Sequence, residues 1–286
     1  MLIAANHPNS FLDSVLLNTV FAQPVWSLAR GDVFKKTFYI RLLRALKILP
    51  VYRTSEGVEN LSENYRTFDD CIELFKKNGL VTIYSEGKCI NEWHLRPLKK
   101  GTARLAIKAW DENIPLKVLP VGINYSSFSR FGKNIFLNFG EPINANDIIN
   151  KGADGQRHLA FNSRLKNELG KLVFEIPVGN ELLKKEKLEV KISLTTRILL
   201  TLPALLGWLL HLALFLPIKK FSKQKTKGTD HYDSVITGIL LISYPLYLIF
   251  ITVILLLITY SWWCLLVFLV FPFTAWAFVQ LKPQLD

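Results

Sequence analysis

Three long apolar stretches in the last third of the chain place the strongest constraint on its fold. They cover residues 194–217, 235–259 and 262–280, and each is close to the roughly 20 residues that a helix needs to cross a bilayer. In lipid, every backbone N–H and C=O has to bond within its own segment, which favours helices. The sequence therefore predicts an all-helical membrane region over residues 191–286, with the lipid bilayer as its partner.

Basic residues flank the first apolar stretch on both sides. Those before it are Lys184, Lys185, Lys187, Lys191 and Arg197, and those after it are Lys219, Lys220, Lys223, Lys225 and Lys227. Since short basic segments stay on the cytoplasmic face, both flanks favour the same side, and Pro203 and Gly207 interrupt the stretch between them. We predict a re-entrant or in-plane hairpin over residues 194–217 and a transmembrane hairpin over residues 235–280. The domain formed by the preceding part of the chain is then predicted to face the cytoplasm.

Residues 1–190 mix charged and apolar positions and are long enough to form one domain with its own core. The whole chain has 286 residues, is 50% hydrophobic and carries a net charge of +12. A positive charge of this size favours binding either to nucleic acid or to an anionic membrane with phosphorylated substrates. The apolar tail favours the membrane, so no nucleic-acid partner is predicted. The three cysteines have no metal-binding spacing, and no metal is predicted.

The first residues predict a strand, a tight loop and a helix. An apolar run ends at His7. The following Asn9 or Ser10 can cap a helix over residues 11–21. Asp13 then lies in the first helical turn, where a carboxylate is favoured. A histidine oriented by an aspartate can remove a proton from an alcohol, which makes His7 and Asp13 the candidate catalytic pair.

This stretch resembles the first motif of the glycerolipid acyltransferase superfamily, in which four residues usually separate the histidine from the aspartate. Here five residues separate His7 from Asp13, a spacing similar to that of the glycerol-3-phosphate and dihydroxyacetone phosphate branch. The resemblance implies an α/β fold of the glycerol-3-phosphate acyltransferase type, with a mixed sheet flanked by helices. It also implies that His7 is a general base oriented by Asp13, and that acyl-CoA or acyl-ACP is the cosubstrate, without a cofactor.

Two further stretches resemble the motifs that bind the acceptor in this family. Arg53 follows Gly31 at the end of a predicted strand, and it resembles the phosphate-binding arginine of the second motif. Residues 84–89 resemble the third motif, Phe-Pro-Glu-Gly-Thr-Arg. Glu86 and Gly87 match it, whereas Cys89 stands where the motif has arginine. The resemblance implies that Arg53, Glu86 and Gly87 contact the phosphorylated glycerol acceptor.

Two later segments complete the predicted site. Arg96 is predicted to supply the guanidinium that the third motif lacks here. Lys99, Lys100 and Gly101 resemble the turn that follows this motif, and the N–H groups of the helix they open can bind a phosphate or coenzyme A. An apolar strand resembles the fourth motif, which implies an acyl-donor groove formed by Pro120, Val121 and Gly122.

These motifs predict an O-acyltransferase of phospholipid biosynthesis that transfers a fatty acyl group to a hydroxyl of glycerol 3-phosphate or dihydroxyacetone phosphate. Two alternatives stay open. One is a 1-acylglycerol-3-phosphate (lysophosphatidic acid) acyltransferase, and the other is a catalytically lapsed lipid-binding or scaffold protein of the membrane. Because relatives of this kind usually have residues before the first motif, we also expect further chain upstream of Met1.

Overall fold

The computed structural model describes residues 1–34, 37–52, 61–148 and 152–285. The chain divides into two compact units. The first unit comprises Met1–Asn124 and Phe136–Val178, and the second comprises Tyr125–Ile135 and Gly179–Asp286. The division at residue 190 that the sequence suggested stays a prediction.

Strands and helices alternate through the first part of the chain. In chain order they are β1 (Leu2–Ala5), α1 (Phe11–Val20), β2 (Val25–Arg30), α2 (Thr37–Ala45), β3 (Ile48–Val51), α3 (Leu61–Lys76), β4 (Leu80–Tyr84), α4 (Gly101–Asp111), β5 (Val118–Tyr125), β6 (Ile135–Phe139) and α5 (Asp154–Leu172). Short 3₁₀ turns lie at Gly31–Val33 and Ala145–Asp147.

The end of α3 shows how local chemistry sets these limits. Asn78 adopts a φ of 58°, and the backbone N–H of Gly79 donates to the Leu74 carbonyl over 2.7 Å. A left-handed residue at this position satisfies the last carbonyls of a helix. The helix therefore stops there, and β4 begins at the next residue, Leu80.

The six strands form one mixed sheet in the order β3-β2-β4-β1-β5-β6. The pairs β1/β4, β1/β5, β2/β3 and β2/β4 are parallel. β5 and β6 run antiparallel, since the Gly140 N–H bonds to the Pro120 carbonyl while Ser126 N–H bonds to the Asn134 carbonyl. A mixed sheet with flanking helices confirms the predicted α/β class.

The centre of the sheet is formed by β1 and β4, all of whose residues are buried. Ala5 lies opposite Tyr84 in the parallel register, so the segments that follow the two strands leave the sheet at the same edge. Ligand sites in α/β proteins gather at such an edge. Below it, Trp110 of α4 packs against Phe161 of α5 with ring centroids 5.9 Å apart. Burial of each such side chain is worth roughly 1.5–3 kcal/mol.

The second unit is helical. It contains α6 (Glu181–Leu188), α7 (Leu194–Lys225), α8 (Tyr232–Thr259) and α9 (Val267–Leu281). Within the described residues, three segments are long and apolar enough to cross a membrane: α7, α8, and Trp262–Leu281, which includes a 3₁₀ turn before α9. α8 ends at Thr259, and the next residue, Tyr260, has a φ of 52° that turns the chain toward α9. The helical C-terminal region and the turn near Tyr260 are as predicted.

The prediction of a hairpin over residues 194–217 is wrong, because α7 is one continuous helix of 32 residues. Pro203 lies inside it, and a proline is tolerated in an apolar helix whose neighbours satisfy the freed backbone groups. Gly207 does not break the helix either. A Cβ at this position would lie 2.0 Å from the Thr274 carbonyl oxygen of α9. Gly207 thus marks a close helix contact of the kind that small residues permit. The side of the membrane at which each helix ends stays a prediction.

Candidate active site

The loop after β1 carries His7, and the first turn of α1 carries Asp13. His7 Nδ1 lies 2.8 Å from Asp13 Oδ2. The Asp13 side chain is fully buried, whereas 18% of the His7 side chain is exposed. A carboxylate that accepts from Nδ1–H fixes the tautomer in which Nε2 has a free lone pair. The geometry thus leaves Nε2 able to accept a proton, and the catalytic role of the pair stays a prediction.

The loop between the two residues accommodates the five-residue spacing by a local backbone adjustment. Ser10, at the start of α1, has a φ of 53° and makes no side-chain capping bond, so the predicted side-chain cap at Ser10 is wrong. The carboxylate of Asp13 turns back instead and accepts the Asn9 backbone N–H over 2.9 Å. Asp13 therefore orders the loop and the imidazole together.

Asn6 fixes the chain immediately before His7. Its Nδ2 donates to the Ile123 carbonyl over 3.0 Å, and its Oδ1 accepts the Ile123 N–H over 2.7 Å. This reciprocal pair continues the contact between β1 and β5 beyond Ala5, the last residue of β1. A side-chain amide can make such a pair with any backbone peptide, so no sequence pattern indicated this role.

Tyr84 supports the imidazole from one face. The rings of His7 and Tyr84 are stacked with centroids 3.9 Å apart and an angle of 12° between their planes. The Tyr84 hydroxyl lies 2.7 Å from the Ser14 hydroxyl, and burial raises the pKa of Tyr84 well above its ordinary value. The neutral ring therefore holds the plane of the imidazole, and its face favours an imidazolium.

Glu86, which follows β4, binds two backbone segments through its carboxylate. Oε2 accepts the backbone N–H of His7 over 2.7 Å, and Oε1 accepts the backbone N–H of Arg96 over 2.8 Å. Burial raises the pKa of Glu86, and the two N–H groups, that of Arg96 first, oppose this shift. In this geometry Glu86 fixes the loop of His7. Its predicted contact with the acceptor stays a prediction.

Gly87 allows the chain to turn beneath the start of α4. Its φ is 68°, and a Cβ would lie 3.0 Å from Lys99 Cγ. The Lys99 N–H donates to the Ser85 carbonyl over 2.7 Å, and the hydroxyls of Ser85 and Thr102 are 2.9 Å apart. These bonds attach the start of α4 to the loop after β4. The structure thus brings together the predicted residues Glu86, Gly87, Lys99, Lys100 and Gly101.

Of the two arginines predicted to bind the acceptor, Arg96 lies within the described residues and Arg53 does not. Their role in binding the acceptor stays a prediction. Arg96 reaches Glu86 with its backbone N–H, while its Nη1 lies 3.6 Å from Glu92 Oε1. Gly31, which precedes Arg53 in the resembling motif, packs against Tyr52, since a Cβ there would lie 2.1 Å from the Tyr52 ring.

The three residues predicted for an acyl-donor groove are buried in β5. Pro120 lies opposite Ala4 of β1, and a Cβ at Gly122 would lie 2.5 Å from the Leu172 carbonyl oxygen. Gly122 is thus needed where the end of α5 approaches the strand. The role of Pro120, Val121 and Gly122 in a groove stays a prediction. Among the described residues, no group of three His, Cys, Asp or Glu side chains could hold a metal ion.

The family model described as Acyltransferase matches residues 1–124 of the chain. Glycerol-3-phosphate O-acyltransferase 2 of Saccharomyces cerevisiae is 31% identical over 83 residues, which are 28% of this chain and 11% of the yeast protein. Glycerol-3-phosphate O-acyltransferase 1 of the same yeast is 29% identical over 94 residues, 32% of this chain and 12% of that protein. The matched segments thus span about a tenth of the length of these relatives.

One solved structure is also similar to the chain. It is the crystal structure of the 1-acyl-sn-glycerophosphate (LPA) acyltransferase PlsC from Thermotoga maritima, which aligns with a TM-score of 0.40 and 19% identity. The alignment covers 60% of this chain and 66% of that chain.

Proposed function

We propose that this chain transfers a fatty acyl group from acyl-CoA or acyl-ACP to a hydroxyl of glycerol 3-phosphate or dihydroxyacetone phosphate. The proposal starts from its membership of the glycerolipid acyltransferase superfamily. The observation that carries the proposal is the His7–Asp13 pair, with 2.8 Å between Nδ1 and Oδ2. The five-residue spacing of the pair and the names of the two yeast relatives support the choice of acceptor.

In this mechanism Nε2 of His7 removes the proton of the acceptor hydroxyl as its oxygen attacks the thioester carbonyl. Asp13 stabilises the imidazolium that forms, and the face of the Tyr84 ring favours it as well. The tetrahedral intermediate then collapses, the C–S bond breaks, and the leaving thiolate takes the proton from the imidazolium. General-base catalysis of this kind contributes roughly a hundred- to ten-thousand-fold in rate, so positioning of the two substrates must contribute as well.

The start of α4 supports binding of the acceptor phosphate. Lys99 and Lys100 are exposed and directly precede the first helical residue, Gly101. The N–H groups at a helix start and nearby ammonium groups both favour an anion. In the proposal these groups act together with Arg53, whose guanidinium can bind phosphate oxygens in bidentate fashion.

Purified full-length chain tests this function directly. Labelled acyl-CoA and acyl-ACP are each offered with glycerol 3-phosphate, dihydroxyacetone phosphate, 1-acylglycerol 3-phosphate or unphosphorylated glycerol. The proposal expects ester formation with glycerol 3-phosphate or dihydroxyacetone phosphate, and little with glycerol. Preference for 1-acylglycerol 3-phosphate would show that this lysolipid is the acceptor in place of the two proposed here. Absence of transfer to every acceptor, from protein with native far-UV circular dichroism, would favour a lapsed lipid-binding protein.

We further propose that the catalytic domain lies at the cytoplasmic face of a membrane. Basic residues on both sides of α7 support this orientation, in which the continuous helix α7 lies along the membrane surface and both of its ends face the cytoplasm. Single cysteines at Lys185 and Gln224, both exposed, in a chain lacking the native thiols, should react with an impermeant maleimide only after the cytoplasmic side is opened. Reaction of the Gln224 position from the opposite side would show that α7 crosses the bilayer.

A further inference from the structure

Four basic side chains gather in the second unit around the loop that joins β5 to β6. They are Arg130, Lys133, Lys219 and Lys282. Lys282 lies against the loop, since a Cβ at Gly132 would be 3.5 Å from Lys282 Cε. Lys219 approaches from α7, where its Nζ lies 5.8 Å from the centre of the Phe215 ring, and this ring is 6.0 Å from that of Phe131 in the loop.

The cluster has a positive excess. Lys133 forms an ion pair with Asp233 of α8, and both side chains are almost fully buried, at 4% and 2% exposure. For Arg130, Lys219 and Lys282, no ion pair is recorded among the described residues. Burial first, and then the charges of Lys133, Arg130 and Lys219, lower the pKa of Lys282 to about 8, while Asp233 opposes this shift. Cations held so close together favour the binding of an anion.

Arg130 gives a second indication of an anion-binding site. Its backbone N–H is bound by the Ser127 hydroxyl over 2.9 Å, which fixes the base of the side chain. Its Nε is shielded from solvent and has no hydrogen-bond partner in the described part of the chain. An unsatisfied buried donor costs roughly 1–3 kcal/mol, and an arginine fork matches the oxygens of a phosphate.

We propose that Arg130, Lys219 and Lys282 bind the phosphate group of a glycerophospholipid, at a site separate in sequence from the motifs of acyl transfer. The position in the second unit favours a lipid phosphate. Lys219 belongs to the last two turns of α7, Asp233 to the first turn of α8, and Lys282 directly follows α9. These are the ends of the three apolar segments, where lipid headgroups lie, and basic pockets between such helices bind anionic headgroups.

Binding of phospholipid to the full-length protein in non-ionic detergent tests the proposal. Mixed micelles containing phosphatidylglycerol are titrated by calorimetry, with micelles containing uncharged diacylglycerol as the blank. Inorganic phosphate is titrated in a separate arm. The variants are Arg130→Gln and Lys282→Gln, and the matched control is Lys223→Gln, which removes one exposed positive charge from the last turn of α7. Far-UV circular dichroism and the melting temperature of each lipid-free variant establish its folding.

We expect saturable binding of phosphatidylglycerol that either cluster variant weakens about tenfold, as expected for loss of one charge-assisted bond, and that Lys223→Gln leaves unchanged. Competition by millimolar inorganic phosphate would show that free phosphate also occupies the site. Equal weakening by all three variants would overturn the proposal, because a general positive field would then explain the binding. Absence of saturable binding in both arms would overturn it as well.

Discussion

The imidazole of His7 lies face to face with the phenol ring of Tyr84, with 3.9 Å between the ring centroids. His7 lies in the loop after β1, Tyr84 is the last residue of β4, and these two strands are neighbours in the sheet. The ring that supports the proposed general base is therefore part of the rigid centre of the fold. Because this contact depends on a flat ring more than on a hydroxyl, it separates two substitutions at Tyr84.

Tyr84→Phe should keep kcat close to the wild-type value, because the stack remains. It should cost about 1 kcal/mol of stability through the lost bond to Ser14. Tyr84→Leu should lower kcat by up to about a hundredfold, since the imidazole loses its support and a small displacement of a catalytic group is costly. Steady-state kinetics with both variants checks this. Equal kcat values for the two would show that the stack does not position His7.

His7→Ala should lower kcat by roughly a hundred- to ten-thousand-fold with little change in melting temperature. Asp13→Asn should be less severe, because an amide oxygen can still orient the ring although it cannot stabilise its charge. The matched control is His94→Ala. His94 also pairs with a carboxylate, that of Glu175, but 62% of its side chain is exposed. If His94→Ala lost as much activity as His7→Ala, the assignment of the base would fail.

Glu86 should make stability depend on pH. Burial raises its pKa in the folded protein, so the folded carboxyl keeps a proton at pH values where the unfolded carboxyl has lost it. The contribution of Glu86 to stability is thus complete below its unfolded pKa and decreases as the pH rises through the folded pKa. The melting temperature of Glu86→Gln, minus that of the wild type, should therefore increase with pH over this window. A constant difference would contradict the prediction.

Maleimide should distinguish two cysteines of the first unit. Cys71 is fully buried in α3, and burial first, with Asp70 second, raises the pKa of its thiol to about 12. Cys89 is partly exposed and accepts the Ser10 N–H at its Sγ. Peptide mass spectrometry of the folded chain should find Cys89 modified well before Cys71, because the thiolate is the reactive form. Cys89→Ala should retain acyl transfer; loss of turnover in this variant would indicate an acyl-cysteine intermediate instead.

Gly207→Val should destabilise the contact between α7 and α9. The added Cβ would lie 2.0 Å from the Thr274 carbonyl oxygen, and overpacking of this kind costs about 1–3 kcal/mol. Gly238→Val in α8 is the matched control, because no heavy atom lies within 4 Å of a Cβ there. Thermal melting of the full-length chain in detergent should show a lower melting temperature for Gly207→Val alone. Equal melting temperatures would mean that the helices separate without cost.

The sequence predicted the features that depend on short-range patterns. The strand, loop and helix around His7 follow from residues that lie within a few positions of one another. Contacts between distant residues were not predictable in the same way. The Glu86 carboxylate accepts the backbone N–H of His7, a residue 79 positions away in the sequence. This contact depends on the register of β1 against β4.

Gly207 shows the same limit in the membrane region. A proline and a glycine within an apolar stretch fit either a break or a helix contact, because the local pattern is the same for both. The close approach of Thr274 distinguishes the two, and it depends on the packing of α7 against α9. To predict that α7 is continuous, one would have had to know how it packs against α9.

The loop between β5 and β6 has a consequence for any attempt to produce the catalytic part of the chain alone. A chain that ended before residue 179 would keep this loop but lose the residues on which it packs. Lys133 would lose Asp233, and Phe131 would lose the ring of Phe215. A lysine that has lost its contact with Asp233 and an uncovered aromatic side chain would then face water at the end of a strand pair. Such a fragment should therefore aggregate more readily than the full-length chain in detergent.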